Sequence, residues 1–171
     1  MRLQVSVISL CLLAMALPAQ PAAAASDATG ASLDPIERAT IKAVNRERRR
    51  HGLRRLRIDR ALSAGADSHS ADMLIGNYFG HDSPGLAWSD RIRAYRPSRQ
   101  VGEVLGRWYP GGAPASTSRE ALRIVRAWMA SPSHRSTILI RGFQRIGAGR
   151  RAGALGGREV ALYTVDLSSR R

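Results

Sequence analysis

The segment ALSAGADSHSADMLIGNYFGHDSPG, residues 61–85, joins a helical pattern to a polar, turn-rich loop. Some of its residues recur at intervals that place them on one face of an α-helix: Leu62, Ala66, His69 and Met73. Asp59 stands where a capping residue is needed, so we expect a helix over roughly residues 60–77. His81 falls in the loop that follows. It is either a solvated loop residue or one part of a site that the rest of the chain completes.

The other histidine of this segment invites a structural interpretation. His69 lies on or beside the buried face of the expected helix, where a histidine is usually a hydrogen-bonded core group. We therefore interpret His69 as part of the core, with a role as a ligand as the alternative. His51 lies inside an arginine cluster and is expected at the surface.

A second helix is predicted ahead of this segment. Asp34, Pro35 and Glu37 combine a capping residue, a proline at the first helical position and an acidic residue at the third. These signals predict a helix that runs to about Arg50, with Gly52 as its stop.

Shorter elements are expected after the loop. Three short helices are predicted. One covers 88–95, one begins at a capping box formed by Thr117 and Glu120, and one begins after Ser131. Extended segments are predicted at the following positions: 100–105, 145–151 and 159–167. The last two flank the turn-rich sequence GALGG and should form a hairpin. Helices followed by a terminal hairpin indicate an α+β fold, with helices layered on a small antiparallel sheet.

The N-terminus has the pattern of a secretory signal peptide over residues 1–25: one positive charge, a short apolar run and Ala23-x-Ala25 before Ser26. The apolar run is too short to span a bilayer, so the mature chain should carry no transmembrane span. We expect a flexible lead-in over 26–33, a single domain over 34–168, and a secreted monomer that is extracellular or periplasmic. Cys11, the only cysteine, lies in the signal, which excludes disulfides and a cysteine nucleophile from the mature chain.

The chain is strongly basic, with a formal net charge of +14 over 171 residues. Eight arginines form a basic patch in the sequence: Arg46, Arg48, Arg49, Arg50, Arg54, Arg55, Arg57 and Arg60. We expect this patch to be solvated, with Leu53, Leu56 and Ile58 turned inward; a dedicated polyanion site is the alternative. Such a charge favours acidic polymers or anionic surfaces as partners.

Three separated residues could share a site. His81 and His134 each lie beside Ser-Pro turn chemistry, and Glu103 lies in an apolar segment that would draw it from solvent. Histidine and glutamate together can bind a divalent metal or transfer protons. Their spacing alone does not establish a site, because no HExxH, GxSxG or phosphate-loop motif is present.

Five stretches in a fixed order resemble the CAP superfamily, which includes cysteine-rich secretory proteins, antigen 5 and pathogenesis-related group 1 proteins. They are NRERRRHGLRRLRID, ALSAGADSHSADMLIGNYFGHDSPG, VGEVLG, AWMASPSHRSTIL and FQRIGAG. The resemblance is to the cysteine-free bacterial branch of SCP-like extracellular proteins and covers about residues 36–167. It implies a three-layer α-β-α sandwich with a small, mainly antiparallel sheet.

The resemblance also implies a cleft with two histidines and two acidic residues. By motif, His81 and His134 match the histidines, and Glu103 matches the first acidic residue. The second acidic residue is missing, because Ser131 and its neighbours occupy its place, and Val104 replaces an asparagine of the motif. In several family members the histidines hold zinc or another divalent ion.

The resemblance therefore implies a secreted binding or interaction module, with a lipid, an acidic envelope polymer or another protein as its partner. No cofactor is required: a metal-free structural cleft is one interpretation, and a zinc or other divalent ion held by His81 and His134 is another. A metal-dependent hydrolase that uses His81, Glu103 and His134 is the alternative, although no convincing nucleophile is present. Specific nucleic-acid recognition is not expected, since few aromatic residues accompany the arginines.

Overall fold

The structure is a computed structural model and describes residues 33–110 and 116–170. The expected signal peptide over 1–25 and most of the lead-in over 26–33 lie outside the described residues. The helices are α1 (Pro35–Arg50), α2 (Arg60–Ile75), α3 (Trp88–Tyr95), α4 (Thr117–Ala130) and α5 (Pro132–Ile138). The strands are β1 (Arg57–Ile58), β2 (Val101–Trp108), β3 (Arg145–Leu155) and β4 (Arg158–Ser168). Within these ranges, no helix has the length and apolarity that crossing a bilayer requires.

The two long helices begin at the predicted capping residues. An Asp34 carboxylate oxygen accepts a hydrogen bond from the backbone N–H of Ile36 (2.6 Å), and Glu37 accepts one from the backbone of Asp34 (2.8 Å). Asp59 accepts from the backbone N–H of Leu62 at the start of α2 (3.2 Å). Each carboxylate satisfies N–H groups that the first turn of a helix leaves unpaired.

The start of α4 differs from the prediction. Thr117 is the first helical residue rather than the cap, and Ser116 precedes it without a side-chain capping bond. Glu120 turns to the sheet instead, where it accepts hydrogen bonds from Arg150 (2.9 Å) and from the Tyr163 hydroxyl. The predicted capping box of Thr117 and Glu120 is therefore wrong, because a cation and a hydroxyl on the sheet bind this carboxylate.

The sheet has the strand order β1-β3-β4-β2. β1 runs parallel to β3, and the other two pairs are antiparallel. The predicted hairpin of β3 and β4 is confirmed, with longer strands than expected and Gly156 and Gly157 in the turn, both at positive φ. Glycine adopts this backbone conformation without the steric cost that other residues bear.

Helices cover both faces of the sheet. Alternate residues of β4 point to opposite faces. Tyr163, Val165 and Leu167 pack in one apolar cluster with side chains of α1 and α4, whereas Val160 and Leu162 pack in another with Met73 of α2. The fold is the predicted α-β-α sandwich with a small, mainly antiparallel sheet.

The sequence does not predict the edge strand β1, and Ile58 in this strand is exposed rather than turned inward. Leu56, just before it, is buried at 4% exposure, as expected, but Ile58 is 47% exposed. Because side chains alternate between the two faces along a strand, Leu56 and Ile58 point to the same side. Ile58 nevertheless lies at the open edge of the sheet, where no described element covers it. The prediction that Ile58 turns inward is wrong for this reason.

Candidate functional site

The loop that carries His81 is anchored by the imidazole of His69, which is 1% exposed. The Nε2 atom of His69 lies 3.0 Å from the carbonyl oxygen of Gly80, and Nδ1 lies 3.3 Å from Oγ of Ser83. Burial lowers the pKa of His69 and the charge of Arg91 lowers it further, so the ring is neutral near pH 7, with one donor and one acceptor nitrogen. The prediction that His69 is a core group is confirmed.

Two more contacts restrain this loop. The Tyr78 hydroxyl donates to Asp72 and lies 3.2 Å from Oγ of Ser83. At the far end, Asp82 accepts a hydrogen bond from the backbone N–H of Trp88 (2.8 Å), which ties the loop to the first turn of α3. The position of His81 between these anchors is therefore set by the packing of α2 and α3.

His81 forms a hydrogen-bonded pair with Glu103, on β2. Nδ1 of His81 lies 2.8 Å from Oε1 of Glu103, and the side chains are 49% and 0% exposed, respectively. The hydrogen bond to Glu103 is the main cause that raises the pKa of His81. No hydrogen bond from the described residues involves Nε2 of His81. The carboxylate thus orients the ring and leaves the other nitrogen available to a ligand.

Arg91 of α3, which sequence reasoning missed, also binds Glu103. Its Nη2 donates to the second oxygen of Glu103 and lies 3.3 Å from the carbonyl oxygen of His81. The guanidinium is 7% exposed. Burial alone would raise the pKa of Glu103, but the His81 hydrogen bond and the Arg91 charge hold it below its ordinary value. Glu103 is therefore an anion near pH 7, with both oxygens engaged.

A second carboxyl group, Asp166, lies opposite Glu103 in the pairing of β2 and β4. It is 1% exposed, and its Oδ2 is 3.9 Å from Nη1 of Arg91, too far for a hydrogen bond. Burial raises the pKa of Asp166 well above its ordinary value, and the Glu103 charge adds to this. The neutral form of Asp166 is favoured, so the buried cluster holds one anion and one cation.

His134 lies in the first turn of α5 and is held by Ser131. Its Nδ1 is 2.9 Å from Oγ of Ser131, which precedes the helix and makes no side-chain capping bond. Burial lowers the pKa of His134, and the charge of His81 lowers it further. The neutral form of His134 is therefore favoured.

A cleft of about 350 Å³ opens at the β2 edge of the sheet, between α3 and α5. His81 and Glu103 line it together with Trp88, Thr137 and Ile140. The Trp88 ring lies 6.4 Å from the imidazole of His81, centroid to centroid. The structure thus brings His81 and Glu103 into the lining, whereas His134 and Ser131 are not part of it.

The two histidines partly fit a divalent metal. In residues 33–110 and 116–170, no group of three His, Cys, Asp or Glu side chains is arranged to hold a metal ion. However, Nδ1 of His81 and Nδ1 of His134 are each engaged by an oxygen, and neither Nε2 has a hydrogen-bond partner among these residues. Histidine ligands in metal sites are typically oriented by such a bond. Two imidazoles could therefore bind a divalent ion with water in the remaining positions, and Glu103 would orient rather than coordinate.

The predicted basic patch loses one member. Arg48 is 1% exposed and donates to the backbone carbonyl oxygens of Arg54 (3.2 Å), Ile138 (2.6 Å) and Ile140 (2.9 Å). Arg48 joins α1 to the end of α5, and because it is buried it cannot contact an external binding partner. The prediction for Arg48 is wrong because carbonyl groups at the ends of two elements need a buried donor. Arg46 is half-buried, and the remaining six arginines of the patch are exposed.

The pairing of His81 with Glu103 predicts separate titrations for His81 and His134. We expect NMR to place the pKa of His81 above, and that of His134 below, the ordinary value of about 6.5. Because the folded-state pKa of His81 is raised, its contribution to stability is complete below the unfolded-state pKa and is lost as pH rises through the folded-state pKa. In the Glu103→Gln protein the pKa of His81 should fall.

The matched control is Asp90→Asn, since Asp90 is an exposed carboxylate on α3. It should leave the His81 titration unchanged. A His81 pKa that is the same in wild-type and Glu103→Gln protein would show that the pair does not control this ring.

Fold and site together define an α-β-α sandwich domain with a histidine–carboxylate cleft at the edge of the sheet. The model described as "CAP: Cysteine-rich secretory protein family" matches residues 41–164. The chain belongs to this family.

Three known proteins illustrate the likeness. YkwD of Bacillus subtilis (strain 168), named as uncharacterized, is 33% identical over 120 residues, which is 69% of this chain and 43% of that protein. An outer surface protein of Borrelia burgdorferi superposes with a TM-score of 0.64 at 20% identity, over 84% of this chain and 100% of that one. An extracellular SCP-domain protein of Bacillus anthracis superposes with a TM-score of 0.61 at 24% identity, over 82% of this chain and 45% of that one. The aligned part of the chain thus spans less than half of the YkwD protein, and the two structures support the fold.

Proposed function

We propose that this chain is an exported binding module that acts through the His81 cleft, rather than an enzyme. The observation that carries the proposal is the fixed His81–Glu103–Arg91 arrangement at the floor of an open cleft. It orients an imidazole and leaves its Nε2 available. Both oxygens of Glu103 are engaged, so Glu103 is poorly placed to activate water, which favours binding over hydrolysis.

Export is supported by the sequence of the first 25 residues and by the names of two relatives. The pattern of charge, apolar run and small residues there is that of a secretory signal. The structurally similar Borrelia protein is named an outer surface protein, and the Bacillus anthracis protein an extracellular one. Without Arg2 of the signal segment, 26 basic residues against 13 acidic ones leave a net charge of +13, which would concentrate the exported protein on acidic envelope polymers or anionic lipids.

A divalent cation such as zinc is the proposed first ligand, bound by His81 of the cleft lining and by His134, which lies outside that lining. His81 and His134 would each offer Nε2, while Glu103 and Ser131 hold the opposite ring nitrogens. Two protein ligands leave positions open, so a bound cation would supply a coordination site for an anionic or carbonyl group of the partner. His81 must be neutral to coordinate, and binding should therefore weaken as pH falls.

Zinc titration by calorimetry tests this proposal. We expect the wild-type protein to bind zinc, the His81→Ala/His134→Ala protein to lose that binding, and Glu103→Gln to weaken it about tenfold because the His81 ring is no longer oriented. His51→Ala is the matched control, since His51 bonds Glu47 and Arg135 outside the cleft, and it should bind zinc as the wild type does.

The same proteins separate binding from catalysis. A panel of peptide and ester substrates should show no turnover that depends on both His81 and His134. Turnover that requires both histidines and added zinc would replace the binding module with the hydrolase alternative, and zinc binding that is the same in the double variant would refute the metal proposal.

A further inference from the structure

A second concave site lies away from the His81 cleft, between α1 and the chain that enters β1. It is a groove of about 600 Å³. Its apolar floor is formed by Ile41, Leu56 and Ile58. Strand β1 is one edge of the sheet, and β2, which carries Glu103, is the other. Three strand spacings of about 4.8 Å separate the two edges, so the groove and the cleft are distinct sites.

The rim of the groove is positively charged. Arg38, Lys42, Arg55 and Arg57 line it, and all are exposed. In the described part of the chain, none of these cations forms an ion pair with a carboxylate, whereas several other arginines do. An apolar floor with a cationic rim is complementary to a ligand that combines aliphatic and acidic groups.

The open edge of the sheet shows which kind of ligand fits. The backbone N–H groups of Arg57 and Asp59 donate toward β3, to the carbonyl oxygens of Gln144, just before the strand, and of Ile146, at 2.9 Å each. Because successive residues of a strand direct their backbone groups to opposite sides, the N–H and C=O of the intervening Ile58 face away from the sheet. Unpaired backbone groups at an edge are a template for another strand.

Asn45 of α1 already occupies one position along this edge. Its side-chain amide donates to the carbonyl oxygen of Leu56 (3.1 Å) and accepts from the N–H of Leu56 (2.7 Å). A carboxamide is the same chemical group as a peptide bond, so Asn45 takes the place that a neighbouring strand would take beside Leu56. The next position along the edge, at Ile58, is open to a peptide in the same way.

We propose that this groove binds an extended acidic peptide segment of another protein by strand addition to β1. The peptide backbone would bond with Ile58, an aliphatic side chain would cover the floor, and acidic side chains on either side would meet the four cations of the rim. Edge-strand addition of this kind takes affinity from main-chain hydrogen bonds and specificity from alternate side chains.

Fluorescence anisotropy with defined peptides on the full exported chain tests the proposal. The probe is a labelled acetyl-EEIVIEE-amide peptide at low salt, with two versions N-methylated on alternate residues in opposite phases. We expect the parent to bind and one of the two methylated versions to bind about fivefold more weakly, since only one phase removes the donor that faces Ile58. The peptide EEGSGEE, which keeps the four glutamates but lacks aliphatic residues, should bind more weakly than the parent.

Matched variants locate the binding. Ile58→Pro removes the outward N–H and is tolerated at an edge strand, so it should weaken the parent peptide about fivefold, while Ile58→Val should not. Arg55→Ser/Arg57→Ser should weaken it about tenfold at low salt. Arg119→Ser/Arg126→Ser makes the same charge change on exposed positions of α4 that do not line the groove, and should have little effect.

Several outcomes would overturn strand addition. One is that the parent and both methylated peptides bind with equal affinity, and another is that the peptide without aliphatic residues binds as tightly as the parent. A third is that Arg55→Ser/Arg57→Ser and Arg119→Ser/Arg126→Ser weaken the parent peptide equally. Binding of phosphatidylglycerol vesicles that depends on Ile58, Arg55 and Arg57, with no peptide binding, would make the groove a lipid site instead. The His81→Ala/His134→Ala protein should bind the peptide normally and Ile58→Pro should bind zinc normally, so failure of either site leaves the other testable.

Discussion

We expect Arg91→Met to lower the free energy of unfolding by about 3–5 kcal/mol, because it leaves a buried anion without its cation. Glu103 is 0% exposed and Arg91 is 7% exposed, so water cannot replace the guanidinium. Asp166 favours its neutral form with or without Arg91, so the cost falls on Glu103. The measurement is denaturant unfolding followed by circular dichroism.

The pH dependence of this loss follows from Glu103. Its folded-state pKa is lowered in the wild type, so its contribution to stability is present above the unfolded-state pKa and is lost as pH falls through the folded-state pKa. The difference between wild-type and Arg91→Met protein should therefore be largest near neutral pH and shrink in acid. Arg91→Met/Glu103→Gln should be more stable than Arg91→Met alone, because no buried charge remains unpaired.

Arg93→Met is the control on the same helix. Arg93 lies 3.5 Å from Asp90, and the two side chains are 42% and 67% exposed. An exposed pair of this kind contributes less than about 1 kcal/mol, and its loss should be correspondingly small. If Arg91→Met costs no more than Arg93→Met, the buried cluster does not stabilise the cleft as described.

Gly149→Ala is expected to lower the free energy of unfolding by about 3 kcal/mol, because α2 lies directly on the backbone of β3. A Cβ atom at Gly149 would be 2.1 Å from the backbone nitrogen of Asp67 and 2.3 Å from the carbonyl carbon of Ala66. Backbone atoms in the middle of a helix cannot move without shifting the whole helix. Because α2 also carries His69, the same shift should disturb the loop of His81.

Gly153→Ala in the same strand is the matched control. A Cβ atom there would be 3.1 Å from Cδ1 of Leu74, the flexible end of a side chain. Its effect on the free energy of unfolding should be within about 0.5 kcal/mol, as for most substitutions away from special features. Equal effects of the two alanines would contradict the close contact of α2 with β3.

Local signals were enough to predict the helices and the hairpin. Asp34 and Asp59 cap α1 and α2 as predicted because capping depends only on residues within one turn. The register that places Glu103 opposite Asp166 depends on β2 and β4, which lie far apart in the chain, and no local pattern reports it. The pairing of His81 with Glu103 followed from the family resemblance rather than from spacing.

The burial of two arginines, Arg48 and Arg91, was not predicted from the sequence. The arginine cluster predicts a solvated Arg48, yet this residue follows Ile41 and Val44 at helical intervals and so lies on the buried face of α1. That spacing was the available signal. Arg91 has no such signal, because its burial depends on Glu103, a partner on another element.

Asp166 could have been found in the sequence. It is an acidic residue inside the apolar strand sequence EVALYTVDL, and alternation places it on the same face as Thr164 and Ser168. A carboxyl group on a buried strand face indicates either a partner or a neutral form, and here the neutral form is favoured. Its place next to Glu103 still required the sheet register.

Diffraction at the zinc absorption edge, from crystals of the protein grown with zinc at neutral pH, tests the proposed cleft most directly. We expect an anomalous peak about 2.0–2.1 Å from Nε2 of both His81 and His134, with Nδ1 of His81 still bonded to Glu103. A peak that involves neither histidine, or zinc held only by a surface residue such as His51, would contradict a cation site in the His81 cleft.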